Sequence, residues 1–215
     1  MPPVNRAHSV VAASTLLVCT FAAGCDEENR ISPTRASSNA DSGWTEIPLG
    51  DAQKEHAGSL EIARDARTTL ASTLLAELTE AMQSGGPEAA IMVCSERASS
   101  IASEVSDKGG VSIGRTSHQL RNSANTPPEW ASAAVGARRD QPAVFIHGDG
   151  RVGELTPIRL MSNCLACHGS EAQLAAGVPG ALARLYPDDL ATGFAEGDLR
   201  GWFWVEVPPN ANERR

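Results

Sequence analysis

Three residues in the stretch NCLACHGS, 163–170, are spaced for chemistry: Cys164, Cys167 and His168 stand in CxxCH order. In a compartment where haem is attached to thiols, that order marks a c-type haem site. The two thiols carry one haem c covalently, and the adjacent imidazole takes one axial position of its iron. The iron has a second axial position, so either another donor lies elsewhere in the chain or that position stays open.

The N-terminus supplies the compartment. Residues 1–8 hold one Arg and no acid, and the apolar run SVVAASTLLVCTFAAG follows up to Cys25. This is the layout of a secretory signal, and the run falls short of the roughly 20 apolar residues a membrane span needs. Ala22, Ala23 and Gly24 before Cys25 resemble a bacterial lipobox, with Ala22 where such boxes usually carry Leu. The expected product is an exported protein on the periplasmic side, held to the membrane by lipid on Cys25. Removing residues 1–24 deletes only Arg6 from the charge count and takes the formal charge from −8 to −9. That acidity argues against nucleic acid or anionic lipid as a partner.

The cysteine count narrows the search for the second ligand. Of five cysteines, Cys19 leaves with the signal, Cys25 takes the lipid, and Cys164 with Cys167 serve the haem; Cys94 is left over. A lone thiol in an oxidising compartment needs a reason to persist. Its rivals are His118, His56, His147, Met82 and Met92. His56 and His147 read as solvated, and the two methionines as core filler. Met161 lies three residues before Cys164, on the wrong side of the ring. From the residues alone Cys94, His118 and an open or water-filled position all remain.

The elements that must position these residues are legible in outline. Residues 25–45 are mostly polar and read as a flexible tether, 46–210 as one domain and 211–215 as a tail. Leu60, Ala63, Ala66, Leu70, Leu74, Leu78 and Met82 form one apolar stripe of a long helix. SGGPEAA breaks it, with Pro87 at a first helical position. A second helix then carries Ile91, Cys94, Ala98, Ile101 and Val105 on its inner face. VSIGRTS, AVFIH, RVGELTPIRL and GWFWVEVP read as strands, the middle two joined by a GDG hairpin turn. Thr126 and Glu129 are spaced as a capping box for a short helix. The order of elements predicts an α+β domain, long N-terminal helices packed on an antiparallel sheet.

Four separated motifs, AAIMVCSERA, IGRTSHQLRNSANTPPEW, PIRLMSNCLACHG and LYPDDLATGFAEGDLRGWFWVEVP, together resemble a family of c-type haem domains with a PAS-like fold, formerly a domain of unknown function. The resemblance spans about residues 50–208. Its members occur as stand-alone periplasmic proteins and as the sensing parts of membrane kinases and chemoreceptors. It implies that the haem hangs on Cys164 and Cys167 with His168 as one axial ligand, and that the cysteine of the helix motif, Cys94, is the other. Relatives often read Arg-Asn-Pro-x-Asn where this chain has Arg121, Asn122, Ser123, Ala124 and Asn125, and the missing Pro is expected to loosen that loop.

A thiolate favours ferric iron, so such a ligand set implies a low reduction potential. With both axial positions taken, oxygenase or peroxidase chemistry is disfavoured and no enzyme is expected. The expected role is low-potential electron transfer to a redox partner protein. The alternative is a redox or gas sensor in which reduction releases Cys94 and admits a small gas; failure of CO to bind the reduced protein would rule that out. The chain closes at ANERR with no output domain after the last motif, which favours a carrier or a detached sensing subunit. Arg115 and Arg121 are candidate haem-propionate partners, with ordinary ion pairs as the competing reading. Trp130, Tyr186, Phe194 and Trp202 read as core that in part walls the haem, and Asp198 with Arg200 as a salt-linked turn. A thioredoxin-like dithiol fits poorly, because CxxC comes late in the chain and is followed by His168. A zinc site from Cys94, Cys164, Cys167 and His168 has suitable ligand types, but the adjacent Cys167 and His168 chelate one ion badly.

Overall fold

Residues 57–96 are rich in Ala, Leu and Glu, which lose little side-chain freedom in a helix, and they form α2 (Ala57–Glu96) after a short α1 (Leu49–Glu55). The structure, a computed structural model, describes residues 43–211 and the backbone of Ser38 and Asn39. The segment read as a secretory signal, Cys25 as the expected lipid site, and most of the expected tether lie outside the described residues. Leu60, Ala63, Ala66, Leu70 and Leu74 are buried along one stripe of α2 as expected, but Leu78 is half-buried and Met82 exposed. The helix changes direction at Gly86, whose φ of 72° lies in the left-handed region that glycine tolerates, immediately before Pro87.

Past that kink Ala90 and Ile91 are buried, and Cys94 lies one turn further on, in the last turn of α2. The expected second helix is divided. α2 ends at Glu96 and α3 (Ala98–Gly109) carries Ala98, Ile101 and Val105 into the core. Gly110, at φ 61°, caps α3 in the left-handed conformation.

A six-stranded antiparallel sheet packs against these helices: β1 (Ser38–Asn39), β2 (Trp44–Ile47), β3 (Ser112–Thr116), β4 (Ala143–His147), β5 (Val152–Arg159) and β6 (Leu199–Val207), in the order β1-β2-β4-β5-β6-β3. All four strands read from the sequence are present, and the β4–β5 hairpin turns through Gly150 at φ 92°. The α+β architecture is the expected one. β6 shows how its residues build both faces. Val205 and Val207 join the core under α2 and α3, while Trp202 and Trp204 join a second core under α4 (Glu129–Gly136), following the two-residue period of a strand.

Three local expectations change. The domain begins before residue 46, because Trp44 is 6% exposed and packs on Trp130 with ring centroids 5.5 Å apart, so the polar tether hides an edge strand. At the other end Ala211 is buried in the core, so the domain outlasts residue 210. No capping box forms at α4. Pro128 precedes its first residue and no side chain caps it, the two prolines having already set the entry of the chain. Among the described residues no helix is long and apolar enough to cross a membrane.

Candidate haem site

The CxxCH residues occupy a single 3-10 turn (Ser162–Cys164) that runs directly into α5 (Leu165–His168). An element this short cannot hold itself, and its carbonyls are taken up by the rest of the fold. The Ala166 carbonyl accepts from Ala175 N at 2.9 Å, that of His168 from Phe194 N at 3.0 Å, and that of Gly169 from Gly193 N at 2.8 Å. The Cys167 carbonyl accepts from Arg121 Nη2 at 2.6 Å. Arg121 also reaches Asp189 through Nε at 3.1 Å and the Ala191 carbonyl at 3.1 Å, so one buried guanidinium ties α5 to the 189–194 loop.

That loop orients His168. Its Nδ1 lies 2.7 Å from the Ala191 carbonyl, while Arg200 Nε stands 3.2 Å from the same nitrogen. A carbonyl only accepts, and its contact is the shorter, so Nδ1 carries the proton and donates it to Ala191. The lone pair is then on Nε2, the tautomer a metal-binding histidine needs. Burial, reinforced by the cations Arg121 and Arg200, pushes the imidazole down to about 3, so His168 is neutral at ordinary pH. Phe194 meets the ring edge-on at 6.5 Å.

Cys94 is a free thiol with three guanidinium groups acting on it. Burial raises its pKa, and Arg115, Arg121 and Arg200 oppose that rise. It also acts electrostatically on Cys167, whose own pKa burial raises, so the helix thiol and the CxxCH thiols share one neighbourhood. Cys164 and Cys167 are free thiols as well. A polar cleft of about 250 Å³ opens beside Cys94, with Arg115, Asn122, Asn125 and Trp204 among its lining residues.

The arginines are arranged differently from expectation. Arg115 lines the cleft with Cys94, and among the described residues no carboxylate pairs with it. Arg121 is not free for a propionate in the way anticipated, because Asp189 and two carbonyls engage it. Arg200, which carried no chemistry in the sequence reading, is the residue that faces His168. It makes no salt link with Asp198, which instead accepts from Ala195 N at 2.7 Å. Strand parity could not have found Arg200, because β6 is irregular there: Ile158 pairs with Gly201 and Arg159 with Leu199, leaving Arg200 as an extra residue.

Other candidates fall into place around this centre. His118 meets Phe194 and Trp202 edge-on, at 6.2 and 5.9 Å, and its buried Nδ1 has no hydrogen-bond partner. His118 therefore lies close to the site and stays the imidazole rival of Cys94. His147 is not a free turn residue; it stacks on Trp44 at 5.1 Å and pairs with Asp149 at 2.7 Å. Met82 and Met92 are 39% and 42% exposed, so neither fills the core. Tyr186 clusters with Ile91 and Cys167, and Phe194 with Cys164 and Leu165, so these two aromatics wall the site. Trp130 and Trp202 belong to the core under α4. The 121–125 loop is closed without proline, since Asn122 accepts from Ala124 N at 2.9 Å through its side chain and from Asn125 N at 3.0 Å through its backbone.

The donor set fits a haem: two free thiols three residues apart, a neutral imidazole with Nε2 available, a further thiol among cations, and guanidinium groups for carboxylates. Among the described residues no three His, Cys, Asp or Glu side chains converge to hold a bare metal ion, as a zinc site would require.

No curated protein matches the chain. A solved structure described as the cyanobacterial heme-protein Tll0287 aligns with it at 25% identity and a TM-score of 0.47, covering 75% of this chain and 97% of that one. The family model described as Tll0287-like matches residues 50–208, nearly the whole of the folded domain carrying Cys94, Arg121, Cys164, Cys167 and His168, and the chain belongs to that family.

Proposed function

We propose that this protein is a low-potential electron-transfer protein carrying one covalently attached haem c, with His168 and Cys94 as axial ligands. Cys164 and Cys167 would hold the porphyrin by thioether bonds. When bound, the haem supplies a one-electron ferric/ferrous couple.

The observation that carries the reading is the state of His168. It is neutral, oriented by a hydrogen bond from Nδ1 to Ala191 and free at Nε2, on the short helix that bears Cys167 and directly follows the turn bearing Cys164. Cys94 is the natural opposite ligand, because it is the leftover thiol beside the CxxCH thiols; burial raises its pKa, and the three cations Arg115, Arg121 and Arg200 work against that rise. Arg115, unpaired and beside the same cleft, suits a propionate. A thiolate donor opposite histidine favours the ferric state, which gives the couple its low potential. Export and lipid attachment through Cys25 complete the reading, with a redox protein as the partner.

The test is an absorption and EPR spectrum of the purified protein, oxidised and reduced, beside Cys94→Ser. A low-spin ferric thiolate signature that the variant lacks is the expected outcome. Identical spectra would remove Cys94 as a ligand and turn attention to His118, and a colourless protein from a host competent in haem attachment would end the haem reading altogether.

A further inference from the structure

Arg200 is anchored to one spot from three directions. Its Nη1 donates to Ser117 Oγ at 2.8 Å and to the Gln119 carbonyl at 3.1 Å, and its own carbonyl accepts from Ser117 Oγ at 2.7 Å. Its guanidinium carbon lies 5.6 Å from the centre of the Phe194 ring, the ring that also meets His168. Strands β3 and β6 approach closely here because Gly201 leaves no side chain between them and Thr116. The effect is to hold Nε 3.2 Å from His168 Nδ1.

The charge there has no carboxylate in contact with it, although Asp189 acts on it from a distance. Among the described residues no carboxylate forms an ion pair with Arg200, and Asp189, the acid of this region, is already paired with Arg121. An arginine guanidinium keeps its proton throughout the ordinary pH range, so the group is a cation there.

Two groups therefore compete for the same imidazole nitrogen. The Ala191 carbonyl draws on the Nδ1 proton and makes His168 a more electron-rich donor, which favours ferric iron. A fixed guanidinium on the same side disfavours positive charge on the ligand and iron, which favours the ferrous state. Thiolate ligation alone would leave the potential lower than it is with this cation in place.

We propose that Arg200 is a positioning residue for His168 whose half-buried charge raises the reduction potential of the ferric/ferrous couple; this rests on the haem reading above. The redox step it biases is the gain of one electron by ferric iron from an external donor, with no bond made or broken at Arg200.

The test is a mediated potentiometric titration of the haem-loaded protein with Arg200→Gln and Arg200→Lys, each checked by its absorption spectrum. Arg200→Gln should shift the equilibrium toward the oxidised form about tenfold, which is about 59 mV for one electron, and Arg200→Lys should stay close to wild type because the charge is kept. Ser117→Ala, which frees the guanidinium from one anchor, should shift the potential in the same direction by less, and it keeps the question open to test if Arg200→Gln does not fold. The surface variant Arg184→Gln, far out on α6 (Val178–Leu185) and paired with Glu88, should leave the potential unchanged. An unshifted potential in Arg200→Gln with an intact haem spectrum overturns the proposal, and so does an equal drop in the Lys variant. A wild-type protein that binds no haem would instead sink the functional reading beneath it.

Discussion

Arg121 and Asp189 form an ion pair with Nε 3.1 Å from Oδ1 and with side chains only 7% and 8% exposed. The pair is embedded in further hydrogen bonds: Asp189 accepts from Ala191 N at 2.9 Å, and Arg121 donates to the carbonyls of Cys167 and Ala191. It therefore links the residue before His168 to the residue that orients the His168 ring.

Breaking this pair leaves a buried charge without its partner, which costs about 3–5 kcal/mol. Arg121→Met should lower the unfolding free energy from urea titrations by that amount, moving the midpoint down with little change in slope, and Arg121→Met with Asp189→Asn should cost less than the two single changes added together. Additive costs would show that the two side chains act independently.

Covalent attachment can be read from retention. In wild type the colour should stay with the polypeptide through acidified organic solvent, because both thiols of CxxCH hold the group. Cys164→Ala with Cys167→Ala should release it. Colour lost from the wild type in the same extraction would show a non-covalent haem.

Gly201→Ala should destabilise the protein by about 1–3 kcal/mol or more. The added Cβ would collide with the Thr116 carbonyl, which is backbone and cannot swing away, and would come within 3.2 Å of the Ser117 Cβ. Thermal denaturation should register the loss. A midpoint equal to wild type would mean that the β3–β6 pair spreads without cost.

Glu154 lies under α2 with its side chain 13% exposed, its Oε2 3.9 Å from Arg67 Nε and without a hydrogen bond. Burial raises its pKa, and the attractions of Arg67 and Arg64 only partly offset this. An acid whose folded pKa is raised keeps its proton longer in the native state than in the unfolded chain. The native state then binds more protons, and stability falls as pH climbs from the ordinary glutamate value to the raised one. Glu154→Gln removes that loss, so its stability relative to wild type should rise between pH 4 and pH 7 in urea titrations. A difference independent of pH would show that Glu154 ionises as readily folded as unfolded.

Much of this molecule can be read from local signals. CxxCH is a contiguous motif, and the leftover Cys94 follows from counting thiols. The strands announce themselves because β-branched and aromatic residues alternate along them, and Gly86 with Pro87 breaks α2 by backbone sterics that need no tertiary context. The signals fail where burial comes from distant residues. Trp44 reads as the end of a polar tether until Trp130 and His147 close over it. Met82 fits the helical period but faces solvent, since the period marks a stripe without saying how far the sheet extends beneath it, and Met92, read as core filler, is exposed as well.

The site divides in the same way. Residue types and spacing by themselves determined that two thiols and an imidazole stand together, and that one further thiol lies on a helix. Only the tertiary structure decided which nitrogen of His168 is free, because Ala191 and Arg200 come to that ring from 23 and 32 residues away along the chain. It also decided that Arg121 braces the site while Arg200 faces the ligand. Arg121 is a buried cation and Arg200 a half-buried one, with partners set by strand pairing and loop closure, and a side chain's spacing in sequence carries no information about the groups that folding brings to it.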